Sequence, residues 1–432
     1  MRITPPENKK VSVERISLRS LRKEMTRQEW WALALLMAAG LGIRVWFGRQ
    51  YAGFVSDQEL FVQWMNQVRE YGLGSVYLHN GGINYPPLFL WLLHGYGAVL
   101  QLLGITAAPG SLSYKSILIL LDMLALLAVT WWSAGRADQR LRWMVLAGFA
   151  LNPALIVNSA VWGQVDILNG MLMAGSILLL LASPLGAGIL FALALLTKLQ
   201  SIIIAPVLGW YVLRELASKR FRPLLWIVIG ICIPFAGISL YFAGYGGLGA
   251  MLRAAYLSAV GMYTQVTMNA LNIWYYLVGT APITSDTVRL WGVISLRSIG
   301  FLLLFMAVIY AGIYLWKLRT INTAALLKAG VWVSFAFFML PTEIHERYSI
   351  PALVLLLFTV ILDRKWIGLA TLLSLTITYN LWQVVNSQLQ ITGGILVTCL
   401  HVIALLWMAV LMLLELRNNR TDIPPVSNNR SY

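Results

Sequence analysis

Long apolar runs alternate with short polar or basic stretches from residue 30 to residue 414. A run of about 20 apolar residues crosses about 30 Å of hydrocarbon as a helix. Lipid offers the backbone no hydrogen bonds, so such a segment has to be helical. The pattern predicts spans over 30–47, 112–133, 143–159, 167–182, 186–198, 200–213, 223–244, 298–316, 323–340, 350–362, 366–382 and 394–414. Of these, 186–198, 200–213 and 350–362 are short for a full crossing unless the bilayer thins. The stretch 85–103 is apolar enough to compete as a further span. Pro86-Pro87, His94 and its glycines instead predict a helix lying on the membrane surface. No fixed period marks an internal repeat.

Composition agrees with this pattern. The 432 residues are 59% hydrophobic and 11% charged, and the mean hydropathy is +0.73. These values exclude a soluble domain and predict an all-α polytopic membrane protein. The net charge of +15, from 32 Lys and Arg against 17 Asp and Glu, would suit a nucleic-acid partner. Its placement points elsewhere, because most bases flank apolar runs, as orientation in a membrane requires. Twelve crossings leave both termini in the cytoplasm. On that side lie a basic tail over 1–29, Arg136, Arg140, Arg142, the cluster from Arg214 to Arg222, Lys317, Arg319, Lys328, Arg364, Lys365 and a tail over 415–432. The tails read as polar and disordered. One transmembrane domain then covers 30–414, with a first outer loop over 48–111. The first run lacks a small-residue cleavage site and reads as a retained helix. Cys232 and Cys399 lie inside apolar runs and are expected to be small packing residues, not a disulfide.

The polar residues that orientation does not explain converge on the outer side, several acids among them. Asp57 and Glu59 follow the first span, and Asn84-Tyr85-Pro86-Pro87 lies in the same loop. Further loops contribute Trp162-Gly163-Gln164-Val165-Asp166, Lys198-Leu199-Gln200, Asn272-Ile273-Trp274 and His345-Glu346-Arg347-Tyr348. Charges at the membrane boundary are costly, and their usual role is functional.

In this order, and together with Pro206, these motifs resemble the GT-C superfamily of integral-membrane glycosyltransferases. The chain is similar both to bacterial mannosyltransferase-like enzymes and to the dolichol-phosphate-glucose-dependent glucosyltransferases of the endoplasmic reticulum. The likeness runs from Arg44 to Pro351. It implies a polyprenyl-phosphate-sugar donor, inverting transfer of one hexose to a lipid-linked or cell-envelope glycan, and a catalytic aspartate in the first outer loop, here Asp57.

The residue types suit that chemistry. Inverting transfer needs a base for the acceptor hydroxyl, and Asp57 is the candidate, with Glu59 beside it to orient the acceptor or raise the base's pKa. Tyr85, Gln164, Asp166, Asn272 and Trp274 are candidate acceptor or sugar contacts. The leaving group is a lipid phosphate, for which Lys198, His345 and Arg347 are candidate cations and Arg253 a further one. No metal-ligand set is legible, so neither cofactor nor metal is expected. Plainer readings exist for each. Asp57 and Glu59 suit a helix N-terminus, Lys198 an interfacial snorkel, Asp166 a helix cap and His345-Glu346-Arg347 a local ion-pair cluster. Asp122 reads as a structural hydrogen-bonding residue, His79 as an exposed loop residue and His401 as a packing residue. Most of the 18 tryptophans suit the interfacial belts, with Trp162 and Trp274 placed to meet a sugar. A lipid-glycan flippase would instead need broken, repeat-related helices and midplane charges. A glycan polymerase or ligase would use the same phosphate chemistry on a longer donor.

Overall fold

The computed structural model describes residues 25–135, 138–258, 261–278, 283–386 and 393–421. Most of both predicted tails and Arg136 lie outside the described residues. Among the described residues the fold is almost entirely helical. In chain order the helices are α1 (Arg27–Gln50), α2 (Val55–Tyr71), α3 (Val76–His79), α4 (Pro87–Leu102), α5 (Leu112–Ser133) and α6 (Gln139–Trp162). Next come α7 (Asp166–Leu179), α8 (Pro184–Thr197), α9 (Leu199–Ala217), α10 (Arg222–Gly244), α11 (Leu248–Leu257) and α12 (Ile273–Leu277). The chain ends with α13 (Leu296–Lys317), α14 (Thr323–Met339), α15 (Ile350–Leu362), α16 (Ile367–Val385) and α17 (Gly394–Thr421).

Each of the twelve predicted spans is helical. Among the described residues, however, seven helices are long and apolar enough to cross a membrane: α1, α5, α6, α9, α10, α13 and α17. The shortfall has a local cause. Helix α7 begins at Asp166 and α8 is fixed by the Ser183 cap and Pro184, leaving 14 residues in each. At 1.5 Å per residue that is about 21 Å. Helix α15 has 13 residues and is buried on every side, as α14 nearly is. A helix apolar all round belongs in the interior of a bundle, which is why 350–362 reads as strongly apolar although it is short. By contrast α10, α13 and α17 present large apolar side chains outward. The segment 85–103 forms α4, introduced by Pro87 at its first turn and packed on α2. Cys232 and Cys399 are free thiols on exposed helix faces; the expected packing role is not what they have.

Alternating helix direction brings one set of connections to one end of the bundle. The ends of α1, α6, α8 and α14 meet the starts of α2, α5, α7 and α15 there. The opposite end holds Lys328, which bonds both Asp363 and Glu415 at 2.8 Å, and Arg214, which donates to the Leu315 and Arg319 carbonyls at the end of α13. Among the described residues, bases predicted to lie on one side, Arg214 and Lys328 among them, are at the end away from the loops described next. Two small sheets lie in the connections: β1 (Thr267–Met268) pairs in parallel with β4 (Ile344–His345), and β2 (Arg289–Leu290) pairs antiparallel with β3 (Ile294–Ser295).

Candidate active site

After α1 the chain turns at Gly53, with φ +78°. A Cβ there would sit 1.9 Å from the Val161 carbonyl oxygen, so glycine alone allows this approach. The turn launches α2, whose first turn carries Asp57. Gln58 fastens that turn: its Nε2 donates to the carbonyls of Ala52 (2.8 Å) and Trp162 (3.0 Å), and its Oε1 accepts from the Gly110 amide (2.8 Å).

The facing wall is the end of α6, which widens into a π turn over Val157–Trp162 and is capped by left-handed Gly163. Such a turn re-aims side chains out of α-helical register and recurs at functional sites. Here it directs Trp162 Nε1 and Gln164 Nε2 to one oxygen of Asp57, Oδ2, at 3.0 and 2.7 Å. The Tyr85 hydroxyl donates to Gln164 Oε1 at 3.2 Å and so fixes its amide. Arg347 Nη1 lies 3.6 Å from the same Oδ2. Oδ1 makes no hydrogen bond to any described residue, and the Asp57 side chain is 20% exposed. Asp57 is thus oriented by one oxygen and open through the other.

Behind it, buried Asp166 pairs with Lys198 Nζ and accepts from Asn158 Nδ2 at 3.1 Å and Gln200 Nε2 at 3.4 Å. Lys198, at the end of α8, also stands over the rings of Tyr85 (5.3 Å) and Tyr348 (5.8 Å). The ammonium is compensated by a carboxylate and two aromatic faces, which is what permits its burial.

The third wall is the connection from α14 to α15. Pairing of β4 with β1 sets His345 between the rings of Tyr263 (4.9 Å) and Tyr348 (5.3 Å). Burial, reinforced by the Arg347 and Lys198 charges, holds His345 well below the usual imidazole range. It is therefore neutral near pH 7, not the cation its sequence context suggests. Burial pushes the Glu346 carboxyl up to about 7, against the pull of Arg347. Burial also works against the Arg347 charge, yet the Glu346 and Asp57 carboxylates raise its pKa above the ordinary guanidinium value. Its guanidinium lies 3.2 Å from Glu346 Oε1 and 5.6 Å over the Trp162 ring. Arg347 Nε, His345 Nε2, Gln200 Oε1 and Asn158 Oδ1 are buried without partners. Buried polar atoms left without partners on the residues around Asp57 and Asp166 suit a polar ligand.

The structure thus brings together Asp57, Tyr85, Gln164, Asp166, Lys198, His345 and Arg347. It does not bring in the other candidates. Glu59 is exposed on α2 and makes no hydrogen bond or ion pair with a described residue. Arg253 is exposed on α11, apart from these contacts. Asn272 caps α12 and donates to the Phe338 carbonyl at 3.3 Å. Trp274 donates to the Leu340 carbonyl at 2.7 Å. Both hold the loop against α14 and make no contact with Asp57. Asp122 is structural, accepting from Arg44 Nε (2.7 Å) and the Ser159 hydroxyl (2.5 Å). His79 is exposed and stacked on Tyr71, and His401 is buried at 2.9 Å from the Leu271 carbonyl.

Gln58 and Glu346 escape a reading that looks for bases and cations, and so does the part Trp162 plays toward Asp57. The available signal was adjacency, since each sits inside or beside a motif already singled out. No protein-family model matches the chain, and no curated protein matches it.

Proposed function

We propose that the chain is an integral-membrane glycosyltransferase of GT-C type that moves one hexose from a polyprenyl-phosphate donor to a lipid-linked or envelope glycan. In this reading the chain crosses the cytoplasmic membrane twelve times, with both termini inside and the site on the outer face. One observation carries the proposal. A partly exposed carboxylate, two compensated cations and a neutral imidazole converge from separate segments at one end of a membrane-type bundle.

The geometry supports the following division of labour. Asp57 Oδ1 takes the proton of the acceptor hydroxyl as that oxygen bonds the anomeric carbon. The bond from the anomeric carbon to the phosphate oxygen breaks, and its electron pair stays on the lipid phosphate. Arg347 and Lys198 meet that charge, and His345 donates a hydrogen bond rather than a charge. Arg347 is shared between Asp57 and Glu346 before substrate enters, so one guanidinium links the base to the donor side.

The test offers purified protein in proteoliposomes a panel of radiolabelled polyprenyl-phosphate hexoses, each separately, with lipid-linked glycan acceptors. Transfer of label from one donor is expected. Movement of intact lipid-linked glycan without any transfer would replace this reading with a flippase.

A further inference from the structure

The connection that precedes α13 forms a small hairpin. Its strands, β2 and β3, are joined by a turn closed by a 3.0 Å bond from the Val293 amide to the Leu290 carbonyl. The central residues, Trp291 and Gly292, have φ of +49° and +71°. Turns with two positive φ values favour Asn, Asp or Gly at both places. Trp291 is strained there, and the turn itself gives no reason for an aromatic.

The tip is apolar and bare. Trp291 is 93% exposed, Val293 80% and Ile283 83%, and Val288 and Leu290 are exposed as well. The root is the reverse. Asp286 is buried and accepts from Arg297 Nε and Nη2 at 2.8 and 2.9 Å and from the Thr342 hydroxyl at 2.8 Å. Arg297 also pairs with Glu343 at 2.6 Å. The Leu296 and Arg297 amides, in the first turn of α13, donate to the Val288 and Asp286 carbonyls at 3.0 Å.

A stiffly held apolar tip therefore grows from the first turn of a helix long and apolar enough to span. That places its root where hydrocarbon gives way to headgroups. Strands of two residues rise about 7 Å, comparable with the thickness of a headgroup layer. Tryptophan favours that layer, and Arg289 in β2 suits lipid phosphate. We propose that this hairpin is an interfacial lipid anchor, with Trp291 and Val293 seated at the headgroup–acyl boundary of the leaflet on the side of the Asp57 site.

The test uses the full chain with Cys232→Ser and Cys399→Ser. An environment-sensitive NBD label is attached at Trp291→Cys or, in a second variant, at Val293→Cys. Both proteins are reconstituted in vesicles of phosphatidylcholine and phosphatidylglycerol. Label at His79→Cys serves as the aqueous control. At 291 and 293 the emission should be blue-shifted and quenched severalfold more by nitroxide-bearing lipid than by aqueous iodide, with the opposite order at 79. Iodide quenching equal to the control would overturn the anchor. Protection from both quenchers would also overturn it, since the tip would then be covered by protein, such as a second copy of the chain.

Discussion

At the scale of single residues, the arrangement centres on Asp57 Oδ2, which receives Trp162, Gln164 and Arg347 while Oδ1 stays open. The sequence nominates two acids there and favours Asp57 as the base; the helix gives a separate geometric reason to tell them apart. On a helix, residues two apart point about 200° apart, so Asp57 and Glu59 cannot both face Trp162, Gln164 and Arg347. Lys198, Asp166 and Arg347 were legible because charges near a membrane are rare. The neutrality of His345 was not, because it depends on burial between rings brought from elsewhere. Arg347→Lys should keep the charge and lose the planar fork. We expect donor KM to rise and kcat to fall together, by tenfold or more overall, with acceptor KM little changed; wild-type donor kinetics would place the phosphate elsewhere. Glu346 supplies a pH signature. Its folded pKa of about 7 stands above the ordinary 4.5, so between these values the folded chain holds a proton that the unfolded chain has lost. Stability should fall as pH rises through that window and level off above it. Thermal unfolding from pH 4.5 to 8 should show this decline for wild type and a flatter profile for Glu346→Gln. Parallel profiles would mean that Glu346 is charged in the fold.

At the scale of elements, hydropathy found the helices of the twelve predicted spans because each is written in a contiguous run, but not the polar α2 that carries Asp57. Where a run stops short, as in α7 and α8, the caps and prolines that stop it are local too. The π turn at the end of α6 left no such mark. Its register is set by contacts with α2 and α5 that are distant in sequence, through Gln58 to the Trp162 carbonyl and the Tyr114 hydroxyl to the Gly163 carbonyl. The Arg44–Asp122 pair between α1 and α5 was unreadable for the same reason. Gly53 tests the element-level account. In Gly53→Ala the new Cβ would fall 1.9 Å from the Val161 oxygen at a positive φ, so the start of α2 has to move away from α6. A melting temperature lowered by several degrees and activity reduced by at least tenfold are expected, because small misplacement of a catalytic group is severe. An alanine variant as stable and active as wild type would show that this approach does not hold Asp57 in place.

At the scale of the whole molecule, the bases that flank the apolar runs lie at the end of the bundle away from the site. Arg214 and the Lys328–Asp363–Glu415 cluster mark one end, and the Asp57, Asp166–Lys198 and Arg347 contacts mark the other. The α9–α10, α13–α14 and α15–α16 connections at the first end carry Lys219, Arg220, Arg222, Lys317, Arg319, Arg364 and Lys365. Bases in such connections stay in the cytoplasm, so the Asp57 end should face outward. In a chain freed of Cys232 and Cys399, a cysteine at exposed His79 should react with an impermeant thiol reagent in intact cells. One at exposed Gln139 should react only after permeabilisation, and the reverse pattern would invert the topology. The most direct test of the central claim is hexose transfer from polyprenyl phosphate by wild type and Asp57→Asn, compared in the same proteoliposomes. The account predicts transfer by wild type and at least about a hundredfold slower turnover by a variant with an unchanged melting temperature. Equal turnover by the two proteins, or no transfer from any donor by the folded wild type, would contradict it.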